Sequence, residues 1–174
     1  MTYAFDGTGY IDSPPDACFV RVAKPELDYL AVVITFEGSL AFLPSVNHKR
    51  TNEGRIVRSY DTKKKLKLMT EYYCLSLMQS GIMAPSFGDS LVSVNAFLAH
   101  KPRRWDSHNL GKELADWLES IGLINDDSQA EVDCRKKVEY TTVDNHSSNI
   151  FIFSRELVSK RHYDHILFLR SFFV

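Results

Sequence analysis

Between Asn109 and Ile121 the apolar residues Leu110, Leu114, Trp117, Leu118 and Ile121 fall at i, i+4, i+7, i+8 and i+11, one face of an α-helix. Gly122 stands where such a helix needs a left-handed stop. A second helix is expected from a cap at Ser59 or Asp61 to about Gln79, with Leu66, Met69, Tyr73 and Leu77 on one stripe and Gly81 as its end. Elsewhere the apolar positions come in short, β-branched or alternating runs. Residues 18–22, 29–36, 91–100, 130–141 and 149–154 read as strands, with a turn near Asp144 and Asn145. Residues 37–58 hold Gly38, Pro44, Asn47, Asn52 and Gly54 and read as a long, basic, mobile loop. A loop of that length inside a compact domain usually has a function.

These elements predict an α/β fold: a mixed β-sheet with helices packed on one face, in the core order β-α-β-α-β-β. Residues 1–16, rich in Gly, Pro, Asp and Ser, form an irregular N-terminal arm. Residues 155–174 form a C-terminal extension whose Leu157, Ile166, Leu167, Leu169, Phe172, Phe173 and Val174 are too apolar to dangle, so they should pack on the domain or on a second subunit. At 174 residues the chain reads as one domain, and 44% hydrophobic with 25% charged residues excludes the disordered class. No apolar run approaches the roughly 20 residues that a membrane-spanning helix needs. Met1 to Gly9 carry Asp6 and no basic group, which argues against a secretory signal. The three cysteines, Cys18, Cys74 and Cys134, are odd in number and far apart, as expected for thiols in a reducing cytoplasm.

Charge is distributed unevenly along the chain. The net charge of −1 hides a cancellation: residues 41–70 carry eight basic groups against two acidic, and residues 106–133 one basic against eight acidic. Lys49, Arg50, Arg55, Arg58, Lys63, Lys64, Lys65 and Lys67 make up the basic block, with Lys101, Arg103 and Arg104 just before the acidic one. Charge runs are more often solvated faces than sites. An acidic block bordered by basic ones is also what a metal-dependent phosphodiester enzyme requires, since cations hold the backbone and carboxylates hold the ion.

The chemistry concentrates in Trp105-Asp106-Ser107-His108-Asn109-Leu110-Gly111-Lys112 and in Gly122-Leu123-Ile124-Asn125-Asp126-Asp127-Ser128-Gln129. Asp106 and His108 sit at the helix entrance, with Lys112 one turn inside. Asp127 follows the helix. A helix over residues 109–121 is about 20 Å long. Asp127 therefore reaches Asp106 only if the strand from Ser128 brings its loop back beside the helix start, or if a partner subunit supplies it. Taken singly, each feature has an ordinary explanation. Asp106 could complement the helix dipole and Asn109 could cap it; Lys112 and Asp116 could form an i,i+4 pair, and Asp126-Asp127 is common turn composition. Their joint spacing is less ordinary.

That spacing resembles the RusA family of Holliday junction resolvases. Members carry Asp-x-Asp-Asn-Leu-x-Lys at a helix start, then Gly, two apolar residues, one further residue and Asp-Asp-x-Gln. Here the first part reads Asp106-Ser107-His108-Asn109-Leu110-Gly111-Lys112 and the second ends Asp126-Asp127-Ser128-Gln129, with no gap between Lys112 and Asp127. Leu43-Pro44-Ser45-Val46-Asn47 is similar to the family's early Pro-Pro-Ser-x-Asn loop. In element order the likeness covers about residues 29–154. It implies a homodimeric, Mg²⁺-dependent endonuclease of recombination and repair that nicks four-way DNA junctions symmetrically. Asp106 and Asp127 would be metal-binding carboxylates, and Lys112 the cation beside the scissile phosphate. Asn47, Lys49, Arg50, Arg55, Arg58, Lys63, Lys64, Lys65, Arg103 and Arg104 would hold the DNA.

One position departs from the pattern: His108 stands where the family has its second carboxylate. An imidazole removes one negative charge and is a softer ligand, so Mn²⁺ should be better tolerated. Three roles are open to His108: a metal ligand, a general base for the attacking water, or the mark of a relative that binds DNA without cutting it. A nuclease for flaps or forks is a further alternative. His162 and His165 have helical metal-ligand spacing but no cysteine partner, and Trp105 is better suited to packing than to stacking on a base. No nucleotide-cofactor motif appears.

Overall fold

The computed structural model describes residues 15–23, 31–44, 48–50, 56–58, 60–99, 107–136 and 147–155. Along the chain these form β1 (Ala17–Ala23), β2 (Ala31–Glu37), a 3₁₀ turn (Gly38–Ala41), β3 (His48–Arg50), β4 (Ile56–Arg58), α1 (Tyr60–Ser80), β5 (Val92–Leu98), α2 (Ser107–Ser120), a second 3₁₀ turn (Asp127–Gln129), β6 (Ala130–Lys136) and β7 (Ser147–Ser154). The main sheet is five-stranded, in the order β1-β2-β7-β5-β6. Its neighbours run antiparallel except β5 and β6, which are parallel. The α/β class and the mixed sheet agree with the sequence reading.

The long loop needs correction. Residues 37–58 contain the first 3₁₀ turn and a hairpin, in which His48 pairs with Arg58, Lys49 with Val57 and Arg50 with Ile56. Asp61 is also not a cap: α1 begins at Tyr60, so Asp61 lies in its first turn. Ser59, the N-terminal arm up to 14, the turn near Asp144 and the extension beyond 155 lie outside the described residues.

Both helices pack on one sheet face. Val32, Ile34 and Phe36 of β2, Val94, Ala96 and Leu98 of β5 and Ile150 and Ile152 of β7 meet Met69, Tyr73 and Leu77 of α1 and Leu110, Leu114, Trp117 and Leu118 of α2. Trp117 joins α2 to both α1 and the sheet. Its ring meets Phe36 edge-on at 5.5 Å and Tyr73 at 6.0 Å, and its indole N–H donates to Thr70 Oγ1 at 3.1 Å. Both helices stop at glycines in the left-handed region, Gly81 at φ +64° and Gly122 at φ +73°. The next residues, Ile82 and Leu123, donate back to Leu77 O and Leu118 O, which satisfies carbonyls that the helix ends would otherwise leave open. At the outer edge of β1, the Val20 N–H donates to Ser76 Oγ of α1 at 3.0 Å, so one of the edge donors is taken up by the helix. The other face of the sheet is apolar at its centre, where Ala31, Val33, Phe151 and Phe153 cluster with Phe97.

Candidate functional site

β5, α2 and β6 form a crossover between parallel strands, so α2 runs back along the sheet between them. The apolar stripe of α2 faces inward and turns the opposite side outward, leaving Ser107, His108, Asn109 and Lys112 exposed at its first two turns. Gly111, between them, sits close to the sheet: a Cβ there would lie 3.6 Å from the Val132 side chain of β6. Val132 is five residues beyond Asp127, and five extended residues span at most about 17 Å. Because β5 and β6 are parallel, the Asp127 turn lies on the side of this contact where α2 finishes, and His108 on the side where it starts. Asp106 lies outside the described residues. Among those described, no three His, Cys, Asp or Glu side chains gather as a metal-binding group.

The 3₁₀ turn that carries Asp127 is built by its neighbours. Asp126 Oδ1 accepts the Ser128 N–H at 2.8 Å. Gln129 Oε1 accepts two backbone N–H groups, from Asn125 at 2.8 Å and from Asp126 at 2.9 Å. Asp126 and Gln129 thus cap each other reciprocally. The turn is tied to the loop before β5 as well: Gln129 Nε2 donates to Gly88 O at 3.0 Å, and Asn125 Nδ2 to Asp89 Oδ1 at 2.8 Å. The Ser128 hydroxyl and then its N–H hold the Asp126 carboxyl below the ordinary carboxylate value. Adjacent aspartates therefore have different work. Asp126 is engaged in capping, whereas the half-buried Asp127 makes no side-chain hydrogen bond or ion pair among the described residues.

Lys112 is likewise uncommitted. The i,i+4 ion pair with Asp116 that the spacing allowed does not form, and the side chains of Lys112 and His108 make no hydrogen bond or ion pair among the described residues. The structure thus leaves His108, Lys112 and Asp127 chemically unspent on the β5-α2-β6 unit, without bringing them into direct contact.

The basic residues divide. Lys49, Arg50 and Arg58 fall on the β3-β4 hairpin. Lys63 and Lys64 are exposed on the opening of α1, and Lys67 is exposed with a long 3.8 Å contact to Glu71. Lys65 differs: it is half-buried and donates to Ser39 O of the first 3₁₀ turn, whose N–H and Oγ in turn donate to Asp16 at 2.6 and 3.0 Å. Lys65 thereby joins β1's approach, the turn and α1. Asn47, Arg55, Arg103, Arg104 and Trp105, like His162 and His165, lie outside the described residues.

The sequence reading carried Gln129 only as the last residue of the Asp126-Asp127-Ser128-Gln129 motif and gave no part to Asp89 or Glu113. Gln129 and Asp89 act through partners distant along the chain. Glu113 is a buried carboxylate on α2, 4% exposed, beside Lys112. Helical periodicity could have found Glu113, one turn before Trp117 on the inward face. No described helix is long and apolar enough to cross a membrane. No protein-family model matches the chain, and no curated protein is significantly similar to it.

Proposed function

We infer that this protein is a divalent-metal-dependent endonuclease of branched DNA, resolving four-way junctions by paired phosphodiester hydrolysis. The reading rests on the joint spacing of Asp106, His108, Lys112 and Asp127. The observation that carries it furthest is the division of labour in Asp126-Asp127, where one carboxylate caps the turn and the other is held ready on it. Oxygen ligands of this type suit Mg²⁺, a hard ion that keeps several waters. Bound there, the ion would polarise the phosphate and supply an activated water. Asp106 and Asp127 would hold it, with His108 as a third ligand or as base. Lys112, which has no acidic partner among the described residues, would offset charge developing on the phosphate oxygens. Lys63, Lys64 and the β3-β4 hairpin offer cations for backbone phosphates. A junction has two-fold symmetry, so a symmetric homodimer would present one site to each of two opposed strands.

The test is cleavage of an end-labelled synthetic four-way junction in Mg²⁺, in Mn²⁺ and in EDTA, with the two adjacent aspartates compared. Asp126→Asn keeps a capping oxygen and should cut within about threefold of wild type, since asparagine caps as well as aspartate. Asp127→Asn should lose more than about 100-fold, beyond the usual cost of losing an outer-shell partner of a metal. Equal losses, or a fully active Asp127→Asn, would overturn the assignment.

His108 favours a second reading, a junction-binding relative that does not cut, because it removes a negative charge from the expected ion site. In the same assay His108→Asp separates the two: it creates cleavage in an inert protein, and shifts metal preference from Mn²⁺ towards Mg²⁺ in an active one.

A further inference from the structure

We propose that Gln129 is a positioning residue: its side-chain amide fixes the turn that presents Asp127 to the metal and anchors that turn to the loop preceding β5. The proposal rests on the reading of Asp127 as a metal ligand and goes beyond it by naming the group that sets the ligand's place.

A metal-binding carboxylate must be held to within a fraction of an ångström, and Asp127 is placed by its backbone, since its own side chain has no hydrogen bond among the described residues. That backbone is a single 3₁₀ turn of three residues, too short to be stable alone. Gln129 supplies what it lacks. Its Oε1 takes the N–H groups of Asn125 and Asp126, and its Nε2 reaches the Gly88 carbonyl. Only this amide orientation satisfies all three bonds, because the reverse would set N–H against N–H and oxygen against oxygen. Gly88 lies at φ +55°, a left-handed turn that leaves its carbonyl available to Gln129. Asn125 adds the parallel tie to Asp89. Because β5 and β6 are parallel, the loop before β5 and the Asp127 turn are locked together at the entry end of these strands, whereas α2, with His108 and Lys112 in its first turns, opens only after the exit end of β5. Gln129 touches neither ion nor DNA in this account and acts only through Asp127.

The experiment uses the full-length protein and Mn²⁺ itself as probe. Binding of Mn²⁺ is followed by calorimetry, and the Mn²⁺ concentration for half-maximal junction cleavage is measured alongside it. Gln129→Met preserves volume and removes all three hydrogen bonds. It should raise the Mn²⁺ requirement about 10- to 100-fold, the usual effect of losing an outer-shell partner, while the rate at saturating Mn²⁺ stays within about threefold. Gln129→Glu keeps the two accepted N–H bonds and should recover most of the affinity. Amide hydrogen exchange at Asn125 and Asp126 should quicken in Gln129→Met and not in Gln129→Glu. A general loss of stability would lower the saturating rate and leave the metal requirement alone. Should Gln129→Met fail to fold, Asn125→Ala cuts the other tie to the same loop and should raise the requirement by a smaller factor. If Asp127→Asn loses Mn²⁺ while Gln129→Met, or Asn125→Ala in its place, binds it as wild type does, the positioning role is wrong and the metal site stands. If Asp127→Asn and wild type bind Mn²⁺ alike, the metal site is wrong and the positioning role falls with it.

Discussion

Cys18 and Cys134 face the helix layer, and burial pushes their thiols up to about 12 and about 11, with Asp133 adding to the shift at Cys134. Cys74 projects from the exposed side of α1. A thiol titration of the native protein at pH 7.5 should therefore show one rapidly reacting group, and three only after unfolding. Rapid reaction of a second thiol would mean that a strand carrying Cys18 or Cys134 is not packed as described. The same shifts set a pH dependence. A thiol whose folded value lies above its unfolded value of 9.0 adds stability that is complete below pH 9 and is lost as pH climbs towards 11–12. Melting curves at pH 8 and pH 10.5 should show the drop, and Cys18→Ala should reduce it. At this scale the sequence was a good guide to Trp117, whose periodicity alone places it in the core. It was a poor guide to Gln129, because the carbonyl it binds lies 41 residues away along the chain.

Helix α1 carries a cost in its own sequence. Lys63, Lys64 and Lys65 stand near the end of the helix where the macrodipole is positive, an arrangement that favours acids. Lys65 is compensated by the Ser39 carbonyl, whereas Lys63 and Lys64 point into solvent. If these two serve DNA, removing them should move two properties in opposite directions. The double variant Lys63→Gln/Lys64→Gln should gain roughly 0.3–1 kcal/mol in stability at low salt. It should also bind a four-way junction more weakly and flatten the slope of log K against log salt by about 1–2 units. Lys65→Gln should instead lose stability and leave the slope unchanged. An unaltered slope in the double variant removes the opening of α1 from the DNA face. Long one-faced helices such as α1 and α2 were legible because each repeats its apolar signal over several turns. The β3-β4 hairpin was not. Its strands have three residues each, and His48-Lys49-Arg50 shows no apolar alternation to reveal a pairing.

At the scale of the whole molecule, a mixed sheet covered on one face by two helices provides a rigid base, with the chemical residues on a single crossover at one side of it. β6 is the outermost strand there, and its outward residues Glu131, Asp133 and Arg135 are paired with Arg155 or with each other. Among the described residues, charged groups remain for substrate on α2, on the Asp127 turn, at the opening of α1 and along the β3-β4 hairpin. Sequence spacing identified most of these residues. It could not say whether Asp106 and Asp127 converge, because spacing gives neither the parallel β5-β6 pairing, which sets the Asp127 turn at the end of the strands where α2 finishes, nor what a second subunit contributes. The most direct measurement is calorimetric titration of Mn²⁺ into wild type, Asp106→Asn and Asp127→Asn, each at dimer-forming concentration. The account predicts one ion per protomer in wild type and at least tenfold weaker binding in both variants. Undiminished binding in either variant would contradict the idea that these two carboxylates share one ion.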